Sequence, residues 1–541
     1  MFRNPDGYAV GQPLALFALT TLAIAIAWWW LGAPVALPPS PLAPGEKLYC
    51  VSYAPFRDAQ NPLDPTTIVS PAQIDEDLAL LSHYTDCVRT YAIENGLDKV
   101  PEIAQRYGIK VLFGLWVGNN LDRNREEIAT GVALAKKYPD VISAVVVGNE
   151  VLLRGEMSAT DLGAAIRQVK SQISQPVTYA DVWEFWLRYA ELQSAVDSVT
   201  IHILPYWEDF PLPAAMAAAH VDAIRKQVAA AIPNKEIVIG ETGWPSAGRM
   251  REGARPSPSN QARVIEDTLA LGKRENFRVN IIEAFDQPWK RAIEGATGAY
   301  WGIFDRATGA LKFPLGGAVS DHPHWVVQAL AGIVLAAMAF AAAWAGGDKK
   351  NPPPRCLWPA IAALAFLPAV LFGWTLGTVP VESFNAIGWV RSLAFAAVAV
   401  AAPVVCAAGC AAGRALPTFA LLLGRPGVQR TALDVALAGT FIVLVLLAVV
   451  AALGLVFDPR YRDIAFAPLT AATVPFLVLH LATARPTGRP AAAEIAAAAT
   501  LTASAVYIVL NESLANWQAV WFAAALVGLS FILARARDAP G

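Results

Sequence analysis

Charge is scarce in this sequence. Only 16% of its 541 residues are Asp, Glu, Lys or Arg, and the formal net charge is -2. No basic excess argues for nucleic acid as a partner. Cysteine is scarce too, at five residues, and none has zinc-type spacing. Cys356, Cys406 and Cys410 lie in apolar segments and read as small hydrophobes. Cys50 and Cys87 stand near the starts of two candidate neighbouring strands, where a disulfide would require an oxidising compartment. No Gly-x-Gly-x-x-Gly follows the first candidate strand, which counts against nucleotide binding. No metal and no cofactor is expected. Apolar residues, by contrast, are in excess. They make up 55% of the chain, and a mean hydropathy of +0.41 is too high for a soluble protein.

The excess is concentrated in long runs. After a short N-terminus (1–12), residues 13–33 form an uncharged stretch long enough to span a bilayer, with Trp28, Trp29 and Trp30 near its end as an interface belt. A cleaved signal peptide is the competing reading, but proline crowds the flank where cleavage would fall. The expectation is therefore an uncleaved anchor and then a stiff Pro-rich tether, 34–46. From 324 to 534 the pattern predicts seven further spans, near 324–345, 357–378, 387–412, 432–456, 464–484, 491–511 and 517–534, with a tail at 535–541. Lys349, Lys350, Arg355, Arg414, Arg425, Arg430, Arg485, Arg489, Arg535 and Arg537 would share one side of the membrane, and Arg391, Arg460 and Arg462 the other. Ten positives against three place the termini in the cytoplasm and residues 47–318 outside it. Asp434, His480 and Glu494 sit near span ends, where such groups also remain solvated.

Between the runs, residues 47–290 alternate strand and helix. Candidate strands are 48–54, 87–92, 110–117, 141–148, 177–182, 198–204, 236–240 and 279–285, with helix-prone stretches at 73–83, 124–137, 159–172, 214–231 and 260–275. Eight repeats of this rhythm predict an α/β fold, a (β/α)8 TIM barrel, beside an all-α transmembrane region. No amphipathic helix is evident after strand eight. Residues 300–305 and 310–313 flank Arg306-Ala-Thr-Gly309 as a hairpin instead. Two strands end on a carboxylate: Ala144-Val-Val-Val-Gly-Asn-Glu150 on the fourth and Ile237-Val-Ile-Gly-Glu241 on the seventh. Paired carboxylates at the C-terminal face of such a barrel are the minimum needed to break a glycosidic bond.

Val147-Gly-Asn-Glu150 and Glu241-Thr-Gly-Trp-Pro-Ser246 resemble motifs of glycoside hydrolase family 17, the β-1,3-glucan-active barrels. So do Val51-Ser-Tyr53-Ala-Pro55, Arg89-Thr-Tyr91, Ser259-Asn-Gln261-Ala and Glu283-Ala-Phe285-Asp286-Gln-Pro-Trp289-Lys290. The resemblance spans about residues 47–316. It implies a retaining mechanism with Glu241 as nucleophile, Glu150 as acid/base and Asn149 on the sugar 2-hydroxyl. That chemistry requires surroundings that raise the pKa of Glu150 and donors that keep Glu241 ionised. Tyr206 is the candidate donor. Tyr53, Tyr91, Trp116, Trp183, Tyr206, Trp207, Trp244, Phe285 and Trp289 fall at or just past strand ends, and about half are expected to touch sugar. Arg89, Asp181, Asp286 and Lys290 complete the candidate binding set.

The resemblance implies a bacterial inner-membrane enzyme with a periplasmic barrel that elongates, branches or cyclises β-glucans. Its partners would be glucan donor and acceptor, the lipid bilayer, and a glucan synthase or exporter as the source of polymer. A membrane-anchored endo-β-1,3-glucanase is the alternative. A glucan-binding sensor or export component is the second, disfavoured by retention of both glutamates and by the few polar residues in the spans.

Overall fold

The protein is described by a computed structural model over residues 11–305, 308–347, 356–419, 431–483 and 488–538. Most of the N-terminal segment expected in the cytoplasm lies outside the described residues. So do Lys349, Lys350, Arg355, Arg425, Arg430, Arg485, the hairpin residues Arg306 and Ala307, and the end of the tail. The chain divides into two units. One comprises Val35–Ala247 with Gly253–Val319, and the other the chain up to Pro34, Gly248–Glu252 and Ser320 onward.

The first unit is a closed barrel of eight parallel strands: β1 (Cys50–Ser52), β2 (Cys87–Arg89), β3 (Lys110–Leu115), β4 (Ile142–Asn149), β5 (Val177–Val182), β6 (Ser198–His202), β7 (Glu236–Thr242) and β8 (Val279–Ile281). Each pairs with the next, and β8 returns to β1. A helix follows every strand: Pro71–Leu81, Val100–Tyr107, Leu121–Lys137, Ala159–Lys170, Trp183–Arg188, Ala214–Ala231, Pro258–Glu275 and Arg291–Gly298. Four of them start where a side chain substitutes for the missing helical acceptor. Ser70, Asn120, Ser158 and Ser257 accept from the backbone N–H three residues on. The last helix corrects the expectation that none follows strand eight. It is only eight residues long and is broken at Gly295, whose φ of 68° is non-helical, so it is too short to stand out in sequence. The expected hairpin follows it, as β9 (Phe304–Asp305) antiparallel to β10 (Ala310–Leu311).

Alternate strand residues pack outward on the helices in one core, including Val111, Phe113, Val145, Val147, Val199, Ile201, Ile237 and Ile239 with Leu78, Ile128, Ile166 and Val228. Two strands carry an extra residue near their C-terminal ends. β4 advances from Val146 to Asn149 while β5 advances only from Thr178 to Ala180. β7 advances from Ile239 to Glu241 while β6 advances from Ile201 to His202. Cys50 and Cys87 form a disulfide between β1 and β2, packed with Leu112. The Pro-rich segment belongs to this unit as well. Val35 and Val319 exchange backbone hydrogen bonds of 2.9 Å each way.

The second unit is helical. Gly11–Leu31, Trp325–Gly346, Leu357–Glu382, Ala386–Ala411, Ala432–Phe457, Ala492–Glu512 and Trp517–Ala534 are long and apolar enough to cross a membrane. Phe466–Ala482, at 17 residues, is a shorter apolar helix and one of the most buried. Alanine and glycine let these helices approach closely. A Cβ at Gly332 would stand 2.6 Å from the Ala369 carbonyl oxygen. Asp434 closes a capping box with Thr431, and Glu494 accepts from the Phe419 N–H at 2.7 Å, so both carboxylates are engaged by backbone.

Candidate active site

Four strand ends, those of β2, β4, β6 and β7, converge on one cluster. Arg89, at the end of β2, is 1% exposed, and both terminal nitrogens of its guanidinium are engaged. Nη1 donates to the Gly240 carbonyl at 2.7 Å and to Glu241 Oε1 at 3.0 Å, and Nη2 donates to Asn149 Oδ1 at 2.6 Å. The Tyr91 hydroxyl donates to the same Glu241 oxygen at 2.9 Å and stands 2.8 Å from Ser52 Oγ, which receives Asn280 Nδ2 at 2.8 Å. Burial, and then the Glu241 charge, raise the Tyr91 pKa well above its ordinary value, so the phenol keeps its proton to donate. Glu241 thus holds two fixed donors.

Glu150 follows β4 in a left-handed backbone conformation (φ 52°), two residues after Gly148 (φ 89°). A non-glycine residue there costs of order 1–3 kcal/mol, a strain typical of functional positions. Its N–H is held by the Ala180 carbonyl at 2.8 Å. Its carboxylate meets His202, at the end of β6, with Nδ1 at 2.7 Å from Oε1. The other ring nitrogen, Nε2, lies 3.5 Å from Glu241 Oε1 and 3.2 Å from Arg89 Nη1. Polar atoms of Glu150, His202 and Glu241 therefore lie within 4.8 Å of one another. The Arg89 guanidinium bonds to Glu241 and approaches the His202 ring, so these groups read as a hydrogen-bonded set.

The surroundings of Glu150 correct one expectation. Burial pushes its pKa up, but the hydrogen bond and charge of His202, with Arg154 and Arg89, outweigh burial and hold the carboxyl below its ordinary value. The expected donor to Glu241 is also corrected. Tyr206 is fully buried and directs its hydroxyl to Thr297 Oγ1 at 3.4 Å.

The nine candidate rings divide. Tyr53, Tyr206, Trp244 and Phe285 are at most 1% exposed and are core. Tyr53 gives its hydroxyl to Asp77, and Trp244 gives Nε1 to the Arg255 carbonyl. Tyr91, Trp116, Trp183, Trp207 and Trp289 are half-buried and keep surface to offer. Arg154 lies over Trp116 at 4.2 Å, and Trp207 stacks on Trp301 at 6.5 Å. Asp181 is wholly buried, bonded to Tyr179 and the Val182 N–H, with a pKa pushed to about 6 chiefly by burial. Asp286 is paired with Lys312 at 2.7 Å and so secures the hairpin strand β10. Lys290 pairs at 3.1 Å with Glu283, whose burial raises its pKa to about 7. His202, Ser52, Asn280 and Arg154 were not singled out in sequence. His202 carried a usable signal, since it ends a strand as Glu150 and Glu241 do.

Residues 50–302 match the BtgE/BtgC glycoside hydrolase domain. Among curated proteins, a glucan 1,3-beta-glucosidase of Candida albicans is 25% identical over 263 residues, 44% of this chain and 85% of that one. A protein named probable beta-glucosidase btgE, of Aspergillus flavus, is 29% identical over 246 residues, 44% of this chain and 40% of that one. Among solved structures, an active-site mutant of Rhizomucor miehei beta-1,3-glucanosyltransferase in complex with laminaritriose aligns with a TM-score of 0.43 at 25% identity, covering 50% of this chain and 97% of that one.

Proposed function

We propose that the chain, which carries a family-17-like glycoside hydrolase domain, is a membrane-anchored retaining transglycosylase acting on β-1,3-glucan. One observation carries this reading: a Glu150 oxygen and a Glu241 oxygen lie within 4.8 Å of each other. Carboxyl groups about 5–5.5 Å apart suit a double displacement, whereas an inverting enzyme needs about 6.5–9.5 Å to admit a water. Glu241 attacks the anomeric carbon as the C1–O bond breaks, and the leaving oxygen takes a proton from Glu150. The Glu150 carboxylate then removes the proton of an acceptor hydroxyl, whose oxygen displaces Glu241. Arg89 and Tyr91 donate to the nucleophile and fix its orientation, and Arg89 also orients Asn149 for the 2-hydroxyl. The half-buried Trp183, Trp207 and Trp289 supply ring faces for an acceptor, and a bound acceptor competes with water through its high effective concentration.

The apolar helices associate the chain with a membrane, and the asymmetry of Lys and Arg supports a periplasmic barrel. The Cys50–Cys87 disulfide favours the same side. The test incubates the full chain in nanodiscs with laminari-oligosaccharides. Products longer or more branched than the donor, with β configuration at the new linkage and none from Glu241→Gln, are expected. Mass spectra showing only shorter fragments at millimolar donor would leave an endoglucanase.

A further inference from the structure

Among the described residues, His202 is the one side chain that pairs with both catalytic carboxylates, and it is fully buried. Four charged or titratable groups face its ring: Arg89 from β2, Glu150 after β4, Asp181 on β5 and Glu241 on β7. Arg89 Nη1 has two hydrogens, and both have oxygen acceptors, at Gly240 and Glu241. Nε2 is therefore bracketed by a cation at 3.2 Å and a carboxylate at 3.5 Å, opposing influences that leave the ring's protonation to its other side. There Nδ1 faces Glu150 at 2.7 Å, a charge-assisted distance at which the proton must sit on one partner or the other.

Resting on the retaining reading above, we propose that His202 stores the catalytic proton, holding it on Nδ1 beside an ionised Glu150 until substrate arrives, and so is a positioning residue for acid catalysis. Glu150 keeps 24% of its side chain in solvent, and His202 keeps none. Water therefore stabilises the carboxylate in the empty site. A sugar seated over Glu150 removes that water, and a desolvated ion pair is less stable than the neutral pair made by moving one proton across the hydrogen bond. Nδ1–H breaks, Glu150 O–H forms, and the imidazole becomes neutral. Glu150 then gives that proton to the leaving oxygen as Glu241 forms its bond to C1. When Glu150 takes a proton from the acceptor, the empty site returns it to His202. This resolves how a carboxyl held below its usual pKa in the free enzyme serves as the acid.

The test measures kcat/KM, which reports glycosylation, against pH for the full chain in nanodiscs. Substrates are a laminari-oligosaccharide, whose leaving group needs a proton, and a dinitrophenyl β-laminaribioside, whose leaving group does not. In His202→Asn and His202→Gln the hydrogen bond to Glu150 survives but the proton store does not. The basic limb on the oligosaccharide should move at least one pH unit lower, with at least tenfold loss at pH 7. The aryl substrate should lose less than threefold. An unmoved limb with equal losses on both substrates would overturn the proposal. Should neither variant fold, infrared difference spectra of the wild type on binding a thio-linked laminaribiose decide it. A protonated-carboxyl band that Glu150→Gln lacks is expected, and no band overturns the proton transfer. Failure of the retaining reading itself would be visible separately, as turnover by Glu241→Gln.

Discussion

The Tyr91 hydroxyl lies 2.9 Å from Glu241 Oε1, while Tyr206 turns its own to Thr297. The phenolic donor to Glu241 thus comes from just past β2. Tyr91→Phe should lower kcat on the order of 100-fold, the low end for losing one preorganised donor where charge changes in the reaction. Tyr206→Phe, which keeps the buried ring, should stay within about threefold. Steady-state kinetics on laminari-oligosaccharides check both.

Glu127 is 3% exposed, and its Oε1 accepts from the N–H groups of Ile93 at 3.0 Å and Trp116 at 2.9 Å. Burial raises its pKa to about 7 despite those bonds. The folded protein therefore holds this proton more tightly than the unfolded chain does. Its contribution to stability is complete below the unfolded value of 4.5 and is lost as pH rises through about 7. Glu127→Gln keeps the acceptor oxygen and removes the ionisation. Thermal unfolding of the barrel should decline less between pH 5 and pH 8 in the variant, by up to about 3 kcal/mol of stability. Parallel profiles would mean that Glu127 does not titrate in this window.

A reporter active only outside the cytoplasm should be active when fused after Ser246 and silent when fused after Gly347, beyond the helix Trp325–Gly346. The opposite pattern would reverse the orientation read from the arginine and lysine asymmetry.

The elements themselves were legible because each strand is an apolar run and most helices announce their caps. Ala214–Ala231 is found where expected to the residue, and the hairpin at β9 and β10 where its turn residues put it. The positions of Glu150 and Glu241 were readable because a carboxylate ending an apolar strand is costly unless it is used. Their partners were not, since Arg89 reaches Asn149 across 60 residues and Glu241 across 152. Which rings face the cleft was also hidden. Tyr206 and Trp244 follow strand ends as Trp207 does, and only packing distinguishes core from surface. Helices Val100–Tyr107, Trp183–Arg188 and Arg291–Gly298 were missed because one or two turns are too short a window to separate helix from loop.

The extra residues in β4 and β7 have a consequence for where function can reside in such a sheet. Side chains alternate, and Val145 and Val147, like Ile237 and Ile239, point to the helices. Continued in phase, Asn149 and Glu241 would point there too, into hydrocarbon. One added residue in each strand reverses the parity, so Asn149 comes level with Ala180 and Glu241 level with His202. A ladder that paired Gly240 regularly would leave the same carboxylate facing the wrong layer. Regularity and chemistry are thus alternatives at these two places, and the catalytic end of the sheet lies where its repeat is broken.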